Sequence, residues 1–340
     1  MTTTPITYLD SADVARICAD LPVVDIVHDT LLAFDRAEAG LTPEAALRWT
    51  TASGDSARSL ILPGWAAGSY GCKIINASLG NHRSGLPRAA GLIVLNDPET
   101  ARPVCLMEGA RISALRTAGV SVAAVRALRP TDGLTRAALL GCGRQAEVHL
   151  ELLAEACPAL AEVVLYDRDG ARAEERAASW RGAHPDVTFR VAGHARDAVE
   201  GAQLTVAVTT TTEPYVELDW VPAGAIFVNV SLDDAAESLL LGCDRLFVDN
   251  WDLVSADDHR LLGVLARAGR VTGPGGTAPE KGRAVDAELP ALLADPAARP
   301  VGVRERVVIN PFGMGVHDIA VAAAVHAAAV ERGIGLALPR

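Results

Sequence analysis

The stretch of the sequence with the clearest chemical meaning is Gly-Cys-Gly-Arg-Gln-Ala at 141–146. It follows an apolar, strand-like run and opens a helical segment, and Asp167 ends the next apolar run about 20 residues later. Gly141 permits a tight turn, Gly143 lets the backbone approach a pyrophosphate, and Ala146 allows helix and strand to pack closely. The pattern predicts a dinucleotide site. A glycine turn that merely packs, or the nucleoside loop of a methyltransferase, remains an alternative.

The same region indicates which dinucleotide is bound. Asp167 can accept hydrogen bonds from both ribose hydroxyls of an adenosine, and its charge repels a 2′-phosphate, so NAD is favoured over NADP. Arg168 beside it works in the opposite direction. Further cofactor contacts are expected from Arg144 and Gln145 within the turn.

Two cations lie among apolar neighbours, where a charge is costly unless it meets an anion. Arg116 belongs to a run with helical periodicity at 110–128, among small and apolar residues. Lys73 lies in a strand-like run, Gly-Cys-Lys-Ile-Ile-Asn, so its ammonium is expected to point into a pocket. A structural or snorkelling role is the alternative for Arg116.

Two neighbouring acids, Asp233 and Asp234, follow a strand-like run that starts at Phe227. A carboxylate at a strand end could take a proton from a substrate amine and then activate water. The alternative is that both acids cap the following helix, a common use of Asp.

Near the C-terminus, Gly313 and Gly315 indicate a backbone that comes close to a ligand, and Asp318 favours the start of the following helix. His317 is left out of the predicted catalytic set, because a lone His at a helix start is more often a cap or a packing residue.

These candidates must be positioned by two kinds of segment. Residues 8–40 have helical periodicity, with Asp10 or Ser11 as N-cap and Gly40 as the stop, and 45–107 read as antiparallel strands. After Pro130, apolar strands alternate with helices, which is typical of a parallel sheet with crossover helices. The predicted fold class is therefore α/β, ending in a strand, a glycine turn and a long helix.

Composition excludes several function classes. A chain of 340 residues with 50% hydrophobic content predicts two domains. The net charge of -11 and pI near 5.2 disfavour nucleic acid and anionic membranes as partners. The six cysteines lack metal-ligand spacing, which predicts no metal and a reducing compartment. Without a recognisable secretion signal or membrane span, the expected location is the cytoplasm.

The turn at 141–146, the run Ile-Ser-Ala-Leu-Arg-Thr-Ala-Gly at 112–119 and the Lys of Gly-Cys-Lys-Ile-Ile-Asn together resemble the ornithine cyclodeaminase and mu-crystallin family. The resemblance covers nearly the whole chain. Stretches at 84–100, 229–234 and 309–320 are most similar to the family's dehydrogenases of 2,3-diaminopropionate biosynthesis.

For the fold, the resemblance implies a Rossmann dinucleotide-binding domain inserted into an α+β domain for substrate binding and dimerisation. The implied boundaries are 1–125 plus 312–340 for the substrate domain and 126–311 for the Rossmann domain. A homodimer through the N-terminal sheets is also implied.

The resemblance further implies roles for individual residues. By its match to the family's Arg-Thr motif, Arg116 resembles a clamp for a substrate carboxylate, and Thr117 resembles a contact to the cofactor phosphate. Lys73 matches a lysine that lies beside the reacting carbon and holds a carboxylate. Arg48 matches a second carboxylate partner, although a solvated arginine at a strand end is the stronger interpretation there.

Arg88 departs from the ornithine-processing branch, which has a small hydroxyl residue at the matching position. The extra cation suggests a substrate with more carboxylates than ornithine.

The family places one catalytic Asp after the strand that ends near Asn229. Counting from Asn229 favours Asp234, while aligning Glu237 favours Asp233. Ser231 is expected to contact the cofactor as well. So are Met314 and Gly315, in the turn that the resemblance places beside the nicotinamide.

The function implied is NAD-dependent oxidation of N-(2-amino-2-carboxyethyl)-L-glutamate, a small amino-acid substrate, to an imine that water splits into 2,3-diaminopropionate and 2-oxoglutarate for a siderophore or an antibiotic. Within the fold, the alternatives are an ornithine cyclodeaminase and an imine reductase or alanine dehydrogenase. A non-catalytic nucleotide-binding protein is the alternative of another class.

Overall fold

The computed structural model describes residues 5–298 and 301–339. The chain divides into two compact units: Met1–Gly119 with Met314–Arg340, and Val120–Gly313. From the sequence, the substrate domain was expected to end at 125 and to resume at 312. Residues 1–4 and 340 of this predicted domain lie outside the described residues. The roles assigned to the two predicted domains remain predictions.

The first unit contains most of the antiparallel strands. Its elements up to the second unit are β1 (Ile6–Leu9), α1 (Ser11–Cys18), α2 (Val23–Asp35), β2 (Gly40–Leu41), β3 (Ala45–Thr50), β4 (Ser56–Ala66), β5 (Ser69–Ser78), β6 (Ala89–Asn96), β7 (Pro103–Glu108) and α3 (Ala110–Leu128), which continues across the boundary.

The second unit alternates strands and helices. Its elements are β8 (Arg136–Leu140), α4 (Arg144–Ala156), β9 (Glu162–Tyr166), α5 (Gly170–Ala183), β10 (Thr188–Val191), α6 (Ala195–Val199), β11 (Leu204–Ala207), β12 (Ile226–Asn229), α7 (Glu237–Gly242), β13 (Arg245–Val248), α8 (Trp251–Ala256), α9 (Leu261–Arg267), β14 (Val271–Thr272), β15 (Arg283–Ala284), β16 (Ala287–Glu288), α10 (Leu289–Ala294) and β17 (Val307–Asn310). The chain then returns to the first unit through α11 (Val316–Arg332) and β18 (Leu336–Leu338).

The large sheet of the first unit has the order β18-β1-β7-β6-β5-β4-β2, with β3 also paired to β4. All pairs are antiparallel except β1 with β7. Helix α11 packs on β4 and β5. Gly71 permits this approach, because a Cβ there would lie 3.1 Å from Ile319 Cδ1 and 2.4 Å from the Val94 carbonyl oxygen.

The sheet of the second unit is parallel throughout, in the order β10-β9-β8-β11-β12-β17-β13-β16. Its central strands are buried along their length and rich in Val, Leu and Ile, as strands covered on both faces must be. The strand order reverses at β8, and ligands bind outside the carboxyl ends of the strands at such a reversal. The predicted α/β fold with a Rossmann unit is confirmed.

The helix predicted to begin at Asp10 or Ser11 and to end at Gly40 is wrong as a single element. Helical periodicity over 8–40 gives two helices, α1 and α2, because Pro22 lacks the amide hydrogen that a continuous helix needs. Asp10 is the N-cap of α1, accepting from Ala12 and Asp13 amides. Gly40 lies in the short strand β2 and ends no helix.

Candidate active site

A buried cluster of charged side chains lies in the first unit. Lys73 comes from β5, Arg116 from α3 and Asp318 from the first turn of α11. Lys73 Nζ lies 2.7 Å from Asp318 Oδ2, and Arg116 Nε lies 3.1 Å from the same oxygen. Lys73 Nζ also donates to Ser113 Oγ at 3.3 Å. The structure thus brings together the two cations predicted from the sequence and adds an acid between them.

Burial decides the electrostatics of this cluster. The exposed fraction of the side chain is 2% for Lys73, 0% for Asp318 and 10% for Arg116. Burial and, after it, the charge of Arg116 lower the pKa of Lys73, Asp318 opposes both, and together they bring this pKa to about 8. Burial alone would raise the pKa of Asp318, but Arg116 and Lys73 hold it below its usual value. Two cations and one anion leave a single net positive charge, which an anionic ligand such as a carboxylate can satisfy.

His317 precedes Asp318 on α11 and is fully buried. Neither ring nitrogen has a hydrogen-bond partner among the described residues. Burial, followed by the charge of Arg116, lowers the pKa of His317 to about 3. The imidazole is therefore neutral at physiological pH and adds no charge to the cluster.

The other predicted substrate cations lie at the surface. Arg48 is exposed on β3, opposite Arg58 of β4, and Arg88 is exposed immediately before β6. In the described parts of the chain, neither makes a hydrogen bond or ion pair with the Lys73 cluster. Thr117, predicted to contact the cofactor, donates its hydroxyl to the Ser113 carbonyl at 2.7 Å.

The predicted glycine turn lies in the second unit, between β8 and α4. Gly141 has φ 92°, and a Cβ there would lie 3.1 Å from the backbone nitrogen of Thr209. A Cβ on Gly143 would meet no atom within 4 Å, so the space above this residue is open. Ala146 is fully buried, as close packing of helix and strand requires.

The start of α4 leaves its polar groups available. Gly143 is the N-cap and, being glycine, has no side chain that could accept from the first amides of the helix. Arg144 is exposed and pairs with Glu147 at 3.2 Å. Gln145 Oε1 is buried without a hydrogen-bond partner in the described structure.

Asp167 follows β9 and lies beside the glycine turn. Its Oδ2 accepts from the Cys142 amide at 2.8 Å, and its Oδ1 accepts from the Asp169 amide at 2.9 Å. A cavity of about 380 Å³ opens here, lined by Asp167, the exposed Arg168 and residues that follow β9 and β10. The amides at the start of α4 and the carboxylate of Asp167 are the donors and the acceptor that the pyrophosphate and the ribose of an adenosine diphosphate need.

Asp234 lies after β12 and is fully buried. Its Oδ1 accepts from Thr209 Oγ1 at 2.7 Å and from the Tyr215 hydroxyl at 3.0 Å, while Oδ2 has no partner among the described residues. Burial raises the pKa of Asp234 to about 6, although both hydrogen bonds lower it. A carboxylate with one free oxygen and such a pKa can exchange protons near neutral pH.

Asp233 has a different environment. Its Oδ1 accepts from the Leu261 amide at 2.7 Å, at the first residue of α9. Asp233 therefore accepts from the first amide of α9, a helix that does not follow it directly. The helix that does follow the two acids, α7, has Ala236 as its N-cap and no side-chain cap hydrogen bond, so the alternative that both acids cap the following helix is wrong.

Asp249, which sequence reasoning missed, holds the backbone after β17. Its carboxylate accepts from the amides of Phe312 and Gly313, at 2.8 and 2.6 Å, and from Asn250 at 3.0 Å. Gly313 has φ 101°, a conformation that favours glycine. An acid directly after the buried strand Arg245–Val248 was the available signal.

The remaining predicted cofactor residues lie in loops. Ser231 is half-buried after β12, and Met314 is fully buried just before α11. Gly315 packs tightly, since a Cβ there would lie 2.9 Å from Leu62 Cβ.

No group of His, Cys, Asp and Glu side chains that could hold a metal ion occurs within residues 5–298 and 301–339. In the same residues, no helix is long and apolar enough to cross a membrane.

Comparison with known proteins places these features in a family context. The model of the ornithine cyclodeaminase/mu-crystallin family matches residues 11–243. A curated relative, the N-((2S)-2-amino-2-carboxyethyl)-L-glutamate dehydrogenase of Staphylococcus aureus (strain NCTC 8325 / PS 47), is 28% identical over 285 residues, which cover 83% of this chain and 82% of the relative.

Two solved structures have the same fold. The crystal structure of CmnK is 33% identical in sequence, with a TM-score of 0.89 and 99% of each chain covered. The Delta(1)-pyrroline-2-carboxylate reductase of Thermococcus litoralis, solved with NADH and L-proline, is 21% identical, with a TM-score of 0.85 over 98% of this chain and 100% of that one. At this identity the second likeness supports the fold alone.

Proposed function

The chain belongs to the ornithine cyclodeaminase/mu-crystallin family, and we propose that it is an NAD-dependent dehydrogenase that oxidises the secondary amine of N-(2-amino-2-carboxyethyl)-L-glutamate. The observation that carries this proposal is the buried cluster of Lys73, Arg116 and Asp318, whose single net positive charge suits an α-carboxylate. The relative from Staphylococcus aureus is named as a dehydrogenase of this conjugate.

The residues around 141–146 fit the adenosine diphosphate of NAD. The open space at Gly143 and the uncapped start of α4 suit the pyrophosphate, and Asp167 beside the cavity suits the ribose hydroxyls. The acid at 167 disfavours the 2′-phosphate of NADP. When bound, NAD supplies an acceptor for the hydride that leaves the substrate's α-carbon.

Lys73 and Arg116 hold the carboxylate next to the reacting carbon in this proposal. The proposed substrate has three carboxylates, and the buried cluster has net charge for one. Arg88 and Arg48, which are exposed, are the cations we assign to the remaining carboxylates.

Asp234 is the proposed general acid-base residue. With a pKa of about 6, it is mostly ionised at neutral pH and can accept the proton of the substrate amine. After this proton has passed to solvent, the ionised carboxylate can accept a proton from the water that attacks the imine carbon and return it to the amine nitrogen that leaves. In balance, the secondary amine, NAD and water give 2-oxoglutarate, 2,3-diaminopropionate, NADH and a proton.

The direct test is absorbance at about 340 nm, where NADH absorbs, with purified protein, NAD or NADP and the conjugate. We expect NADH formation with NAD, together with equimolar 2-oxoglutarate. Proline formed from ornithine without net NADH would instead identify a cyclodeaminase, and NADH consumption with a cyclic imine but no oxidation of the conjugate would identify a reductase.

The assignment of Arg88 has its own test. Arg88→Ala should raise the KM for the conjugate by about 10-fold or more, because a charge-assisted contact contributes about 1.5–3 kcal/mol, with less effect on kcat. Arg102→Ala is the matched control, since Arg102 is an exposed arginine in the turn between β6 and β7. An unchanged KM in the Arg88 variant would refute the assignment.

We also propose a homodimer that acts in the cytoplasm and supplies 2,3-diaminopropionate to a siderophore or antibiotic. Leu47 and Trp49 lie exposed on one face of β3, and Ile61 is exposed on the same face of β4. Large apolar side chains gathered on a strand face are typical of a subunit interface. Arg48 lies on the opposite face of β3. A dimer formed through the face that carries Leu47 and Trp49 would therefore leave Arg48 available to substrate.

A further inference from the structure

One carboxylate oxygen, Asp318 Oδ2, contacts both cations of the buried cluster, at 2.7 Å from Lys73 Nζ and 3.1 Å from Arg116 Nε. We propose that Asp318 is a positioning residue, which holds Lys73 and Arg116 side by side so that they meet the substrate as a pair with one net positive charge. This inference rests on the proposed function only for the identity of the substrate.

The fold fixes Asp318 at this point through α11. Gly315, just before the helix, lies against Leu62, and Leu62 is the residue opposite Lys73 in the pairing of β4 with β5. Any Cβ on Gly315 would lie 2.9 Å from Leu62 Cβ, so glycine is needed for the helix to begin this close to the sheet. The side chain of Asp318 therefore reaches Lys73 across the packed face of the sheet.

The first turn of α11 also stabilises the negative charge. The helix has 17 residues, and a carboxylate in the first turn interacts favourably with its dipole. Asp318 is fully buried, and burial acts to raise its pKa, but Arg116 and Lys73 keep it ionised. The acid thus serves the two cations as an ionised counterion.

The charged groups around Lys73 come from three directions. Arg116 on α3 lowers its pKa, whereas Asp318 on α11 and Glu44, which precedes β3, raise it. His317 on α11 is uncharged at neutral pH. Of the two acids, only Asp318 is in direct contact with Lys73 in the described structure, so Asp318 contributes most of the effect that raises the pKa of Lys73 against burial.

The arrangement also limits the substrate. With Asp318 present, the pair has charge for one carboxylate, and a second carboxylate in the same place would be left without a counterion. A substrate with several carboxylates must therefore place the others outside the cluster. Substrate discrimination between mono- and tricarboxylates then depends on cations outside it.

The sequence makes a direct measurement possible, because Lys73 and Lys281 are its only lysines. We would label lysine with carbon-13 at Cε and follow both signals against pH by NMR, using Lys281→Arg to assign them. In the wild type, Lys73 should titrate at about pH 8. In Asp318→Asn its midpoint should fall by about 1–3 units, since a close opposite charge shifts a pKa by that much. The exposed Lys281 is the internal control, and its signal should not differ between the wild type and the variant.

The alkaline limb of the pH profile of kcat/KM should move by the same amount as the Lys73 midpoint. Loss of activity without movement of the limb or of the midpoint would mean that Asp318 is merely structural, and would overturn the proposal. If Asp318→Asn does not fold, Arg116→Gln gives the opposite test: the Lys73 midpoint should rise, and an unmoved midpoint would also overturn it. The NMR result needs no substrate, so an inactive wild type would refute the proposed function and leave this inference standing.

Discussion

Replacing Asp234 by Asn should lower activity and make the protein more stable relative to wild type as the pH rises. Burial raises the pKa of Asp234 from 3.8 to about 6, and the hydrogen bonds from Thr209 and Tyr215 only reduce the shift. Because the folded-state pKa is above the unfolded-state value, the folded protein binds this proton more tightly. The stabilisation is fully present below pH 3.8 and is lost as the pH rises through 6.

The magnitude follows from this shift of about two units, which corresponds to about 3 kcal/mol. Asn keeps an oxygen that accepts from Thr209 and Tyr215, but its NH₂ replaces Oδ2, which has no partner in the described structure. An unsatisfied donor costs about 1–3 kcal/mol. Since this cost does not vary with pH, the variant should gain about 2 kcal/mol on the wild type between about pH 4 and pH 7, out of about 3 kcal/mol over the whole titration.

Urea unfolding followed by tryptophan fluorescence at several pH values measures this difference. In the same preparation, kcat should fall by about 10²–10⁴-fold, and the acidic limb near pH 6 should disappear. Asp233→Asn is the matched control: it weakens the cap of α9 and should lower stability while the limb remains. If Asp234→Asn kept a normal kcat and the acidic limb of the pH profile, the catalytic role of Asp234 would be refuted. If its stability relative to the wild type did not change with pH, the raised pKa of the buried carboxylate would be refuted.

Three further predictions follow from other sites. Burial lowers the pKa of His149 to about 4 and that of His317 to about 3, so on acidification the unfolded protein binds these protons before the folded protein does. The free energy of unfolding should therefore fall below about pH 6.5, by about 1.4 kcal/mol per pH unit for each histidine. An unchanged slope in the acid unfolding of a His149→Gln variant would contradict this. Asp167→Ser should raise the KM for NAD by about 10- to 100-fold, because the ribose loses a charged acceptor. The preference of the enzyme for NAD over NADP should become smaller. If the ratio of kcat/KM with NAD to kcat/KM with NADP stayed the same, Asp167 would be excluded as the ribose partner. Trp49→Asp should convert a dimer into a monomer in analytical ultracentrifugation, whereas Val303→Asp, at an isolated exposed apolar residue, should not; a monomeric wild type would disprove the dimer.

Local patterns in the sequence predicted the second unit well, because each of its signals spans few residues. The turn at 141–146 and the acid at Asp167 follow consecutive strands, so their proximity follows from the rule that parallel strands end at one edge. No local pattern indicates that Asp167 also accepts from the Cys142 amide. Nor does any local pattern reveal that Tyr215 reaches Asp234, since the two residues lie in separate loops.

The cluster in the first unit was only half predictable. Apolar surroundings singled out Lys73 and Arg116, because a buried cation must meet an anion. Their counterion lies 245 residues from Lys73 along the chain and reaches it only through the packing of α11 on β4 and β5. Asp318 therefore looked like a favourable first-turn acid, which it also is. Periodicity likewise missed the break at Pro22 between α1 and α2.

Two buried aspartates show how burial alone does not decide the role of an acid. Asp318 and Asp234 are both fully buried, and burial acts to raise the pKa of each. Asp318 lies against two cations and keeps a low pKa, whereas Asp234 accepts hydrogen bonds from Thr209 and Tyr215 and its pKa rises to about 6. Acids whose environments push their pKa values apart are suited to different tasks. The neighbours thus make Asp318 a fixed charge and Asp234 a proton carrier, and exchanging hydroxyl donors for cations around Asp234 would be expected to stop proton transfer while leaving the carboxylate in place.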